Sequence, residues 1–391
     1  MKKNFLFVMA AAAMLASCSK DAAVSEPAGN GNENGVVDPT DPNSPVLVRL
    51  GAGGLGVDVT PTRGVVDSWN NTVVGIYALA KDANFAEWQA GDGSILLENE
   101  KGTINADGTP DQTDHIAVAI AEKYYPGSND IHYTFYGYYP YAAADAEGND
   151  KTPPTNATGK VTKTFVINGS QDIMWGNAVA AKINNTAGGE QLDGYNALYF
   201  RKGEGAATPD ITFYHKLTQL NFKIKKAGEF STAGPDKQLS VTKIEINTFP
   251  SLNLTIADKA EIDNGKIAPT DAIGGAADIP VIKDDAGTAA DAVVVDKIEE
   301  DPGFTAFGTS MMVYTAGETQ TTYSAKVYLK MGEDGEEVSS PITIKLAEDA
   351  AFEAGKSYDV NIAVNSMMKV EVNATLTKWQ SGGSAEDIEI N

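Results

Sequence analysis

An all-β fold follows from three features of the sequence. Apolar residues alternate singly with polar ones in several stretches, turn residues separate those stretches, and no long amphipathic segment carries helix caps. The alternation is plainest in the second half. Tyr323, Ala325, Val327, Leu329 and Met331 share one face of TTYSAKVYLKM, and Ile342, Ile344 and Leu346 share one face of PITIKLA. Between them stands Gly332-Glu333-Asp334-Gly335, turn chemistry that predicts a hairpin.

The chain begins with Lys2-Lys3, an apolar run from Phe5 to Leu15, and Leu15-Ala16-Ser17-Cys18. These are the parts of a secretory signal over residues 1–17, too short to span a membrane as a mature helix. Leu15–Cys18 also resembles the bacterial lipobox, whose cysteine becomes the acylated first residue of a lipoprotein. Cys18 is the only cysteine in 391 residues, so no disulfide forms within one chain and packed sheets must supply the stability. Residues 18–45 are rich in Gly, Asn, Asp and Pro, bury little apolar surface, and read as a flexible tether. Against 30 basic residues stand 53 acidic ones, a formal net charge of −23 that argues against nucleic acid or anionic lipid as a partner.

Val46 to Trp69 reads as a strand, a glycine-rich continuation and a proline-marked loop carrying Arg63. Gly51, Gly53 and Gly56 spell G-x-G-x-x-G, the dinucleotide fingerprint, which works only where the third glycine opens a helix. Here Val57-Asp58-Val59-Thr60-Pro61 follows, a β-branched alternation closed by proline, and no βαβ pattern comes after it. The glycines therefore mark a weakened strand.

Val73–Leu79 predicts a strand, Asn84–Trp88 and Ile104–Asp114 loops, and Ile116–Tyr125 either strand or helix. In IHYTFYGYYPY, Ile131, Tyr133, Phe135 and Tyr139 fall on one face, an aromatic period suited to a core strand. Val161–Ile167 is a further strand. Phe213, His215 and Leu217 share a face, then Leu220, Phe222 and Ile224 share one in the opposite phase, which predicts a bulge or bend between them. Val360, Ile362 and Val364 mark the penultimate strand, and Val370, Val372, Ala374 and Leu376 the last, ending near Trp379.

The sequence holds little chemistry. His115, His132 and His215 have no metal-ligand spacing, and His215 reads as a hydrogen-bonded core histidine. Asp107, Asp111 and Asp114 cluster without an EF-hand pattern. There is no nucleophile elbow and no P-loop, and no carboxylate pair stands out. The expectation is a protein that is not an enzyme and needs no metal or cofactor.

Several segments together resemble the fimbrillin, or Mfa-like, family of type V pilins from Bacteroidales-type anaerobes. They are the lipobox at Cys18, Thr62-Arg63-Gly64 with Ser68-Trp69, VVGIYAL at Val73–Leu79, FYGYYPY at Phe135–Tyr141 and DIMWG at Asp172–Gly176. FYHKLTQLNFKI at Phe213–Ile224, FEAGKSYDVNI at Phe352–Ile362 and LTKWQ at Leu376–Gln380 complete the set, in the family's order. The resemblance implies two transthyretin-like β-sandwich domains in tandem, residues 46–210 and 211–391. It implies a lipid-anchored precursor at the outer membrane and an arginine-specific protease that cuts between Arg63 and Gly64, freeing a removable first strand within residues 46–63. A strand from another copy then fills the groove, which makes the chain a subunit of a cell-surface fimbrium. Two departures stand out: Gly64 replaces the alanine that often follows the processing arginine, and the Val46–Val59 strand is glycine-rich.

The C-terminal residues 368–391 are the expected donor. Met368, Val370, Val372, Ala374 and Leu376 present one apolar face, and Lys369, Glu371 and Asn373 the other. From Met368 to Trp379 such a strand spans about 40 Å. An ordinary final strand of the second domain is the other reading of the same residues. A tip adhesin or non-polymerising surface lipoprotein of the same fold, binding host glycan or protein, is the alternative function. Because stable membrane anchoring takes more than one acyl chain, Cys18→Ala should abolish both palmitate-analogue labelling and membrane retention, as fractionation of labelled cells would show.

Overall fold

The computed structural model describes residues 44–53, 71–82, 84–104, 116–127, 130–143, 152–178, 186–187, 190–191, 194–201, 208–227, 238–270, 275–284, 286–298, 303–366 and 369–377. It is nearly all β. The chain lays down β1 (Leu50–Gly53), β2 (Thr72–Ala80), β3 (Ile95–Ile104), β4 (Ile116–Ala119), β5 (Tyr133–Tyr139), β6 (Thr155–Ala157), β7 (Lys160–Val166) and β8 (Met174–Ala178). Short β9 (Thr186–Ala187) and β10 (Glu190–Gln191) precede a five-residue helix, α1 (Ala197–Arg201). Next come β11 (Asp210–His215), β12 (Thr218–Lys226), β13 (Leu239–Thr248), β14 (Ser251–Asp258), β15 (Ile267–Pro269), β16 (Ala277–Pro280) and β17 (Val293–Val294). The last are β18 (Thr305–Ala306), β19 (Met311–Val313), β20 (Thr322–Met331), β21 (Glu337–Lys345), β22 (Ser357–Ser366) and β23 (Lys369–Thr377).

Strands pair in the order β1-β11-β8-β5-β2-β3-β4, and β4 returns to β1, so this sheet closes on itself. A sheet β15-β14-β7-β6 covers part of its outer face. Two further sheets sandwich a third core: β18-β12-β22-β23 with β19 also on β12, and β16-β13-β20-β21 with β17 also on β13. Sheets are shared across position 210. β11 lies between β8 and β1, and β14 pairs with β7, so strands late in the chain complete sheets begun early.

Alternation assigns each side chain to its core. In β2, Val74, Ile76 and Ala78 point into the closed sheet, while Tyr77 and Leu79 point out against the covering sheet. In β5, Tyr133 and Phe135 point in, with Ile131 and Tyr139 packed beside them, so the expected aromatic face is the core face. Tyr136 and Tyr138 point out and are buried too, against a cluster that includes Val161, Phe165, Leu252 and Leu254. Strands covered on both faces lose the clean polar alternation of a half-exposed strand. Gly75 pairs with Tyr138, and a Cβ there would meet the ring at 2.0 Å, so the ring lies directly on bare backbone.

The hairpin expected at Gly332–Gly335 joins β20 to β21 in antiparallel register, from Lys330 opposite Glu337 to Thr322 opposite Lys345. Ile116–Ala119 settles as strand. The phase change between Leu217 and Leu220 is not a bulge. β11 ends at His215 beside β8, and β12 begins at Thr218 beside β22, so the chain passes from one sheet to another and each segment obeys its own core.

The turn between β14 and β15 is built on Asp258. Its buried carboxylate accepts the N–H groups of Ala260 and Asp263, both at 3.0 Å, and lies 3.5 Å from Lys160 Nζ. Burial alone would raise the Asp258 pKa; the two N–H donors and the Lys160 ammonium outweigh it and hold the carboxyl below its ordinary value. A carboxyl depressed in the folded state adds stability above its unfolded pKa of about 3.9, lost as pH falls through the lower folded value. Asp258→Asn should therefore lower stability at neutral pH and flatten the loss below about pH 4, as urea unfolding across a pH series would record.

Candidate functional site

The site is the slot that β1 fills. Val46, Val48, Leu50 and Ala52 are 3, 4, 4 and 0 % exposed and all four join the core of the closed sheet. On one side Leu50 and Ala52 lie opposite Val118 and Ile116 of β4. Upstream, Val48 donates its N–H to the Lys123 carbonyl at 2.8 Å and Tyr125 donates to the Val46 carbonyl at 2.9 Å. On the other side Gly51 and Ala52 run parallel to Asp210 and Ile211, and the Gly51 N–H reaches the Pro209 carbonyl at 2.9 Å. Residues 46–52 are thus one inserted segment, bonded to residues 123–125 and then β4 along one edge and, from Gly51, to Pro209 and β11 along the other.

One end of the slot is built from aromatic rings. Tyr133 and Tyr195 exchange two backbone hydrogen bonds at 2.9 Å, which ties the segment before α1 to β5. Asn196 Oδ1 accepts the Tyr199 N–H at 2.9 Å and caps the helix. Tyr199 and Phe200 stack edge-on at 4.8 Å, and Phe200 lies 5.3 Å from Tyr125. Burial, with smaller contributions from Tyr195, Tyr199 and Tyr133, pushes the Tyr125 phenol well above its ordinary pKa, and burial raises Tyr133 to about 12. Both stay neutral at physiological pH. The helix ends on Arg201, only 4 % exposed, whose Nε and Nη2 donate to the Ser44 carbonyl at 3.2 and 2.6 Å.

The expected donor, β23, lies in its own sheet at the edge, antiparallel to β22 from Lys369 opposite Ser366 to Thr377 opposite Ser357. Ala374 is buried, Val370 and Val372 are half-buried against the core, and Leu376 is 48 % exposed. Cys18, Arg63, Gly64, Met368 and Trp379 lie outside the described residues, as do Asp107, Asp111, Asp114 and His115. His215 is the core histidine expected: it is buried with Phe213 and Leu217, its Nδ1 3.0 Å from Asp172 Oδ1. His132 makes a comparable pair with Asp82 at 2.9 Å. The aromatic run of β5 is buried and offers no exposed platform. Arg201 is the site residue that sequence patterning does not mark.

The fimbrillin-like family model matches residues 62–379. The chain belongs to the fimbrillin-like family, a structural, non-enzymatic kind of protein associated with fimbriae at the cell surface. Among solved structures it is similar to a fimbrial protein from Bacteroides vulgatus, at 15 % identity over 85 % of this chain and 99 % of that one, TM-score 0.48. It is also similar to the tip fimbrial protein Mfa3 from Porphyromonas gingivalis with C-terminal truncation, at 11 % identity over 85 % and 100 % of the two chains, TM-score 0.37. No curated protein matches the chain. Membership rests on the family model.

If β1 is part of the closed sheet's core, shortening its central side chain should cost as much as any core truncation. Leu50→Ala should lower unfolding free energy by about 2–5 kcal/mol, whereas Arg49→Ala should change it by less than about 0.5 kcal/mol. Guanidinium unfolding followed through Trp88 and Trp175, which pack on the outer face of the same sheet, distinguishes the two.

Proposed function

We propose that this chain is a structural fimbrial subunit assembled by protease-triggered strand exchange. The precursor is held at the outer membrane through acylated Cys18, an arginine-specific protease cuts between Arg63 and Gly64, and the first strand leaves. The C-terminal strand of a second copy, within residues 368–391, then fills the slot. The observation that carries this reading is a match between two strands. The resident strand buries Val46, Val48, Leu50 and Ala52 at alternate positions, and β23 offers Val370, Val372, Ala374 and Leu376 at the same spacing.

A slot emptied of β1 would leave unpaired backbone groups on β4 and β11 and open the core between them, a template for another strand. The family match begins at residue 62, after the resident strand, and ends at 379, after the last. What the family shares is thus close to what would remain after cleavage. The energetic gain from replacing the glycine-rich resident strand is smaller than its glycines imply, because Val46, Val48, Leu50 and Ala52 already bury the same apolar set as the donor offers. What remains is Leu376, 48 % exposed in its own sheet, whose further burial is worth about 1 kcal/mol, roughly half the value for a fully exposed leucine. A polymer so formed would persist largely through a high unfolding barrier.

A non-polymerising surface lipoprotein is the second reading, favoured by the complete pairing of β23 with β22. Truncation separates the two. A chain ending at Val364 should fold and be cut at Arg63 but form no filaments by electron microscopy, and Arg63→Ala should block both maturation and assembly. Filaments from the truncated chain would overturn the donor assignment. N-terminal sequencing should place the mature start at Gly64.

A further inference from the structure

Arg201 holds the end of the slot in a way that depends on the strand rather than on the strand's side chains. Arg201 is 4 % exposed, and two of its guanidinium nitrogens, Nε and Nη2, converge on one backbone carbonyl, that of Ser44, at 3.2 and 2.6 Å. The third nitrogen, Nη1, is buried without a hydrogen-bond partner among the described residues. The helix that carries it is fixed by the Asn196 cap, by the reciprocal Tyr133–Tyr195 backbone bonds and by the Phe200 contact with Tyr125. A buried guanidinium bound to a strand's carbonyl makes a charge-assisted contact when the strand is seated, and becomes a buried charge with its acceptor lost when it is not. That difference penalises a strand that is absent, or one slipped by a single residue, which would turn its carbonyl to the other edge. The alternating apolar side chains set which of the recurring carbonyls arrives.

We infer that Arg201 is the register latch of this slot, a binding site for the main-chain carbonyl two residues before the first inward-pointing valine of whichever strand occupies it. In the full chain the occupant is the resident strand and the carbonyl is that of Ser44. On the strand-exchange reading, on which this second half rests, the occupant is a second copy's C-terminal strand. With Val370, Val372, Ala374 and Leu376 in the places of Val46, Val48, Leu50 and Ala52, the corresponding carbonyl belongs to Met368. Main-chain recognition explains how one arginine serves two strands of different sequence, since Ser44 and Met368 share no side-chain chemistry.

Amide hydrogen exchange on the full chain tests the resident half directly. In Arg201→Met the amides of Val48, Gly51 and Tyr125, which bond the strand to its neighbours, should exchange roughly tenfold to a hundredfold faster. Those of Leu220 and Phe222, in a different sheet, should keep their rates. Unchanged slot amides, or uniform acceleration everywhere, would overturn the latch, the latter by making Arg201 a general packing residue. Should Arg201→Met fail to fold, Arg201→Lys decides the matter: it keeps the charge but loses the fork, so a local acceleration of several-fold is expected and none would refute the claim. The incoming half is read from filament growth after arginine-specific digestion. Wild type should outpace Arg201→Lys by roughly tenfold, and equal rates would refute recognition of the incoming strand. No filaments from wild type would overturn the exchange reading and the incoming half with it, leaving the exchange rates to decide the resident latch.

Discussion

The pairing of residues 46–52 between β4 and β11 is the constraint on which the first part of the structure depends. Without it the remaining six strands have two open edges and an exposed core; with it the seven-stranded sheet closes and the backbone edges of β4 and β11 facing the slot find partners. The contribution is large for its length because the strand is inserted rather than appended. Each inward side chain meets the opposite wall of the same closed sheet, and each backbone edge has a partner. The Arg201 fork and the aromatic ring cluster then fix where along the slot the strand stops.

The edges of the other sheets are handled differently. β21 carries Pro341 in its middle, a residue that cannot donate to a further strand and so blunts that edge. β23 has no such device. It occupies the edge beside β22, turns Glu371, Asn373 and Thr375 to solvent, and leaves Leu376 half-exposed. A slot closed by a short inserted strand and an edge strand of matching apolar spacing are complementary features in one chain, and the proposed strand exchange would put that complementarity to use.

Much of this was legible from period-2 alternation, and the failures have physical causes. The strands with one exposed face, β20, β21, β22 and β23, declare themselves, as does the hairpin at Gly332–Gly335. β3, with ILLENEKGTI, hides its alternation under charged residues at partly covered positions. β13 and β14 lie in a stretch where no face was assigned, although Leu252, Leu254 and Ile256 alternate there. The phase change near Leu217 was visible but its meaning was not, because alternation reports which face is buried and not which sheet buries it. Val46, Val48 and Leu50 marked the site strand, whereas Arg201 carries no local signal: its role comes from a bond to Ser44 across 157 residues of chain.

The central claim is that one slot is filled first by the chain's own strand and later by a second copy's. The most direct measurement is an electron cryomicroscopy map of filaments grown after arginine-specific digestion, read in the slot between β4 and β11. The account predicts side-chain density for Val370, Val372, Ala374 and Leu376 of a neighbouring subunit there, with Arg201 against that strand's main chain. A filament map in which Val46, Val48, Leu50 and Ala52 still occupy the slot would contradict it.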